Sequence, residues 1–171
     1  MAEEVPAQPP LDAESWCRSV YPRLVAAMSL YCGTVEDAED LAQETLSRAW
    51  EHWPTVGVHP TPESWAFRTA FNLANSRWRR RRIERRARAQ LASRVSAAPT
   101  DVADLEVRRA VAGLPARQRE VVVLRFFLDQ SVADAALAME CAEGTVKALT
   151  HQAIANLRRG GLATNVRHDD D

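Results

Sequence analysis

The chain has 171 residues, 46% of them hydrophobic, and a formal net charge of −1, enough for one packed domain or two small ones. No stretch approaches the roughly 18 consecutive apolar residues of a membrane span. The acidic, proline-rich start "MAEEVPAQPP" lacks the basic run and apolar core of a secretory signal, so a cytoplasmic chain without membrane insertion is expected. Three widely spaced cysteines, Cys17, Cys32 and Cys141, show no CxxC and no neighbouring histidine pair. They argue against a disulfide framework or structural zinc, and no metal or cofactor is expected. Near-neutrality conceals segregation: residues 1–66 carry −8, residues 67–94 carry +9 and residues 95–171 carry −2. A basic block is the footprint of a polyanion, and the acidic block calls for a different partner.

Glycine and proline are sparse, and no segment alternates apolar with polar residues over a strand's length, so the predicted fold class is all α. Residues 1–11 read as a disordered tail. A first helix runs from about Asp12 to Cys32, apolar at Trp16, Val20, Leu24, Ala27 and Tyr31, and ends at Gly33. Thr34 followed by Asp37 is a capping-box spacing that opens a second helix through about Trp53. Ala38, Leu41, Ala42, Thr45, Ala49, Trp50 and Trp53 fall on its apolar side. Asp37, Asp40, Gln43, Glu44, Ser47 and Glu51 occupy the other side. An ordinary amphipathic helix has the same pattern, but these acids lack lysines at i+4, and the face suits docking on a basic protein.

After the loop "PTVGVHP" (54–60), Thr61 and Pro62 start a third helix. At about 100° per residue, Trp65, Arg68, Asn72, Asn75, Ser76 and Arg79 share one stripe, opposite Phe67, Ala70, Phe71, Ala74 and Trp78. The stripe runs into "SRWRRRRIERRARAQ", which holds eight arginines in fifteen positions, among them Arg80, Arg81 and Arg82. A solvated face or a basic linker would also be cationic, and the chain's strong preference for arginine over lysine inflates the count. Cations, amides and an aromatic on one line nevertheless match the groups that hold phosphates, read base edges and stack unpaired bases.

Residues 91–103, "LASRVSAAPTDVA", read as a flexible linker, with Asp101 placed to cap a helix over 102–112. "GLPARQRE" breaks and restarts the chain, and Val121, Val122, Leu124, Phe127 and Leu128 are expected in a core. Ser131 with Asp134 is a second capping box, opening a short helix to about Met139. "ECAEG" turns into a last helix over about 144–159. Helix, tight turn, helix reads as a helix-turn-helix, with the small Ala136 at the crossing, although a plain helical hairpin fits the spacing as well. Thr145 and Lys147 open the second helix of the pair, where they face phosphates or base edges.

Four stretches, "AEDLAQETLSRAW", "SWAFRTAFNLANSRWRRRR", "LPARQREVVVLRFF" and "EGTVKALTHQAIANLRR", together resemble extracytoplasmic-function sigma factors of the sigma-70 family, over about residues 14–160 and nearest to an actinobacterial SigE-like branch. The resemblance implies two small helical domains: region 2 over 12–90 and region 4 over 104–160, followed by a tail at 161–171. It implies core RNA polymerase as partner, through the clamp helices of the beta-prime subunit and the beta flap, with Asp37, Asp40, Gln43, Glu44 and Ser47 on the docking helix. It assigns recognition and melting of the −10 element to Trp65, Arg68, Asn72, Asn75, Ser76, Arg79, Arg80, Arg81 and Arg82. It assigns the −35 element to Thr145, Lys147, Ala148, His151 and Arg158. Promoter DNA is thus a partner, and because many relatives pair with an anti-sigma protein, that class joins the list. The chain departs from the family pattern at Glu140, where the turn usually has glycine. It also departs at Ala135, usually a larger aliphatic, and at Ala148 and Gln152, usually serine and arginine.

The competing reading is a helix-turn-helix regulator acting without core polymerase, which has no need of a strand-opening face. An enzyme acting on nucleic acid is not expected: no HxE, paired acidic metal site or phosphate loop is present, and His52, His59, His151 and His168 are scattered.

Overall fold

The computed structural model describes residues 12–87 and 102–161, with backbone only at 81–87 and 102–105. The N-terminal tail, the Asp101 cap, linker residues 91–101 and the tail from 162 onward lie outside the described residues. Among the described residues all regular structure is helical, in the order α1 (Ala13–Cys32), α2 (Val35–Glu51), α3 (Trp53–Val56), α4 (Pro62–Ala87), α5 (Val102–Ala112), α6 (Ala116–Val122), α7 (Val132–Met139) and α8 (Glu143–Arg159). α5 spans the helix expected over 102–112, so Val102 and Ala103, which the linker reading of 91–103 also included, belong to the helix.

Local chemistry explains most of the boundaries. The Asp12 carboxylate accepts from the Ser15 amide at 3.0 Å and caps α1. Gly33 ends α1 at φ +86°, where its missing Cβ removes the left-handed penalty. Thr34 caps α2 by accepting from the Asp37 amide at 3.3 Å, and Ser131 caps α7 by accepting from the Asp134 amide at 3.0 Å. The predicted loop after α2 is partly helical: α3 starts at Trp53 with Pro54 in its first turn, and Trp53 packs on Trp16 with ring centroids 5.3 Å apart.

The turn between α7 and α8 passes through Glu140 at φ 50°, ψ 49°, a left-handed conformation that costs a non-glycine residue roughly 1–2 kcal/mol. The Cys141 amide donates to the Ala136 carbonyl at 3.1 Å and closes the turn. Glu140→Gly is therefore expected to stabilise the chain by about 0.5–1 kcal/mol after glycine's greater unfolded-state entropy is counted. An unchanged or lower urea midpoint would contradict this strain.

The N-terminal half is α1 and α2 folded back on each other with α4 laid across them, around Leu24, Tyr31, Leu41, Phe67 and Phe71, all buried. The C-terminal half wraps α5 to α8 around Val121, Leu124, Val146, Ala153 and Leu157. Two side chains expected in cores are exposed. Trp50 is 59% exposed because its position falls about 100° from the Ala42, Thr45 and Ala49 stripe. Phe127 is 47% exposed. Residues Val123–Phe127 form a π-helical turn, in which the Leu128 amide reaches back to the Val123 carbonyl at 2.9 Å. The wider turn rotates Phe126 and Phe127 off the buried side.

The two halves also pack on each other. α1 meets α5 and the π-helical turn, α4 meets α7, and the buried side chains form one continuous cluster.

Candidate polymerase and nucleic acid interface

The α2 face is exposed as its periodicity requires. Asp40, Gln43 and Ser47 are open to solvent, and Glu44 and Asp37 are half-buried. Neighbouring cations compensate part of the acid charge, which the lysine-based expectation overlooked. Arg48 donates to Glu44, with Nε to Oε1 at 3.0 Å, and Arg77 Nη1 lies 3.9 Å from Asp40 Oδ2. Such exposed pairs contribute little to stability and leave both partners able to exchange for others. Beside this face, Cys17, Tyr21, Gln43, Leu46, Trp50 and Glu51 line an open groove of about 560 Å³. Trp50 thus places a large exposed aromatic next to the acids, the kind of side chain that anchors protein interfaces. The angular offset of position 50 from the apolar stripe was the signal for it.

On α4 the core stripe of Phe67, Ala70, Phe71 and Ala74 is buried. On the opposite stripe Asn72 and Arg79 are exposed, Arg68 and Ser76 are half-buried, and Arg80 is exposed beyond them. Trp65 is also half-buried and packs against the core with part of its ring. Asn75 sits at the stripe's edge and faces inward enough for its Oδ1 to accept from the Tyr31 hydroxyl at 2.7 Å. Burial pushes the Tyr31 phenol up, so it stays a donor there. The side chains of Arg81 and Arg82 lie outside the described residues, while their backbone continues the helix.

Trp78, expected in the core, is half-buried and meets a cation from the other half of the chain. The Arg119 guanidinium lies 4.3 Å from the Trp78 ring centroid and 5.3 Å from that of Tyr31. Its Nη1 donates to the Tyr31 carbonyl at 2.8 Å, and Nη2 donates to the Ala112 and Leu114 carbonyls at 2.7 and 3.1 Å. Arg119 is buried, and burial pulls its pKa down from the ordinary value. Next to it Glu120 is buried too. Burial pushes its carboxyl up to about 7, against the pull of Arg117, which donates to it at 2.9 Å. Neither residue carried a sequence signal, since an Arg-Glu pair at a helix start is ordinarily solvated.

In the C-terminal pair, α7 packs on α8 with Ala135, Ala136, Ala138 and Met139 buried, and Val146, Ala153, Ile154 and Leu157 fix α8 from behind. Thr145, Lys147, Ala148, His151 and Arg158 are all exposed. Lys147, His151 and Arg158 fall within about 40° of one another on the helix, while Thr145 stands more than about 100° away at the N-terminal edge. The exposed start of α8 and its line of Lys147, His151 and Arg158 have the form of a helix presented to a groove.

Comparison with known proteins agrees with this architecture. The family described as Sigma-70 region 2 matches residues 16–84, and that described as Sigma-70, region 4 matches residues 104–157. The RNA polymerase sigma-E factor of Streptomyces coelicolor is 31% identical over 158 residues, covering 91% of this chain and 89% of the relative. The ECF RNA polymerase sigma factor SigL of Mycobacterium tuberculosis is 32% identical over 152 residues, covering 82% and 86%. Among solved structures, the sigma factor RpoE from Bartonella quintana, crystallised with the anti-sigma factor NepR, superposes with a TM-score of 0.74 at 28% identity, over 85% of this chain and 94% of that one. With region 2 helices, a region 4 helix-turn-helix and relatives matched along most of their length, the chain belongs to the extracytoplasmic-function sigma factors of the sigma-70 family.

Proposed function

We propose that this sigma factor engages core polymerase and promoter DNA through three separate surfaces. The acidic and aromatic α2 face, with Asp37, Asp40, Gln43, Glu44 and Ser47 beside Trp50, docks on the clamp helices of the beta-prime subunit. The α4 stripe of Trp65, Arg68, Asn72, Asn75, Ser76 and Arg79, continued by Arg80 to Arg82, melts the −10 element. The α8 face with Thr145, Lys147, Ala148, His151 and Arg158 reads the −35 element, while region 4 takes the beta flap. The observation that carries this reading is the α4 stripe, because a regulator binding only duplex operators has no use for an aromatic and amides in line with Arg68 and Arg79. The setting is the cytoplasm, and among the described residues no helix is long and apolar enough to cross a membrane. An anti-sigma protein is a further candidate partner, as one is bound to the Bartonella quintana relative.

Run-off transcription from a library of promoter fragments, with core polymerase and with or without the chain, tests the whole reading. Start sites that do not depend on the chain would reject it. High-affinity sequence-specific duplex binding without core polymerase would favour the regulator.

Within α4 the roles should separate. Trp65→Ala or Asn72→Ala is expected to leave closed-complex binding near normal and to depress permanganate-detected opening, since stacking of one base is worth roughly 1–3 kcal/mol. Arg79→Ala with Arg80→Ala should weaken binding to all sequences and flatten its salt dependence. Equal loss of duplex binding in both sets would contradict this division. Circular dichroism must accompany Trp65→Ala because the ring is partly packed.

A further inference from the structure

Gln118 of α6 has only 9% of its surface exposed, and α8 engages both ends of its amide. Its Oε1 accepts from Asn156 Nδ2 at 2.5 Å, and its Nε2 donates to Gln152 Oε1 at 3.3 Å. Arg159 Nη2 in turn donates to Asn156 Oδ1. The four side chains form one relay, and the arginine fixes its direction. A guanidinium can only donate, so Asn156 must accept with its oxygen and offer its nitrogen. The same choice passes on to Gln118 and then to Gln152. The relay thus engages the Gln152 oxygen and does not use Nε2. Gln152 is exposed on α8, within about 40° of Thr145 and Ala148 and about 100° or more from the buried Val146, Ala153 and Leu157. It therefore shares the face read above as the −35 surface.

We infer that Gln152 is a base-reading residue of this surface, positioned by Gln118 and selective for adenine over guanine. The inference rests on the reading of α8 as the −35 surface. Adenine shows the major groove an N7 acceptor beside an N6 donor, and a glutamine amide matches both. Nε2 donates to N7, while the second lone pair of Oε1 accepts from N6. Guanine shows two acceptors, N7 and O6, and would set O6 against Oε1. The relay resists the rotation that would relieve this clash. Turning the amide over would set the Nε2 groups of Gln118 and Gln152 against each other. The relay also holds a flexible side chain in place before DNA arrives, which lowers the ordering cost of binding.

The test uses the full chain with core polymerase and a promoter library randomised across the −35 element, with run-off yield read for each base at each position. The wild-type chain is expected to favour adenine over guanine by about five- to a hundredfold at one base pair. Gln152→Ala should flatten that position alone, and Gln152→Arg should shift it to guanine, whose two acceptors match parallel donors. Gln118→Leu keeps the bulk and removes the relay, so the adenine preference should fall about threefold at the same position. A merely structural role for Gln118 would instead lower yield at all positions alike, and that result would overturn the positioning, as would an unaltered preference. If every position keeps its wild-type preference in both Gln152 variants, the assignment of Gln152 falls. If the preference lost with Gln152 is for another base, the selectivity for adenine falls. A wild-type chain with no preference anywhere in the randomised element would bring down the −35 reading of α8 itself, and this inference with it.

Discussion

The double variant Asp40→Arg, Glu44→Arg is expected to lose co-purification with core polymerase while keeping its helical fold. Both carboxylates belong to the acidic face of α2, and their side chains are 71% and 43% exposed. Reversal puts like charges against a basic partner, which costs several kcal/mol at protein interfaces, or more than about a hundredfold in affinity. The cost to folding is much smaller. The lost pairs of Glu44 with Arg48 and of Asp40 with Arg77, and the new i, i+4 repulsions along positions 40, 44 and 48, amount to a few tenths of a kcal/mol each. Near-native circular dichroism with absent polymerase is thus the expected pair of results. A folded double variant that still co-purifies would remove α2 from the docking surface.

The largest effect on stability is expected at Phe71. Its ring is fully buried and meets Tyr31 edge-on at 4.9 Å between centroids, at the crossing of α4 with α1. Phe71→Ala deletes that contact and leaves a cavity, at a typical cost of about 3–5 kcal/mol, a large share of the roughly 5–15 kcal/mol that holds most domains folded. Phe127→Ala is the informative contrast. The π-helical turn leaves that ring half exposed, so the loss should be under about 1 kcal/mol. Urea unfolding of both variants checks the pair, and comparable losses would mean that Phe127 packs inside.

The division of α4 into a buried and an outer face is largely legible in the sequence. Helical spacing alone separates Phe67, Ala70, Phe71 and Ala74 from Trp65, Arg68, Asn72 and Arg79, because a stiff helix carries its angular relations with it wherever it docks. The caps at Thr34 and Ser131 were legible for a similar reason: each hydrogen bond is made within three residues, so the local sequence contains both partners. Trp50 was misplaced only because its angular offset was rounded into the apolar stripe.

What the sequence by itself determined about this protein is its helices, their buried faces, its segregated charge and, through four motifs, its family. Tertiary structure decided what meets across the chain. Arg119 reaches Tyr31 across 88 residues, Arg68 reaches Glu140 across 72, and Asn75 reaches Tyr31 across 44. No periodicity encodes such pairs, since each depends on how whole helices are set against one another. The π-helical turn at Val123–Phe127 belongs to the same class. One residue's change in hydrogen-bond register there turned two phenylalanines outward, in a turn that packs on α1 and continues α6, itself packed on α8.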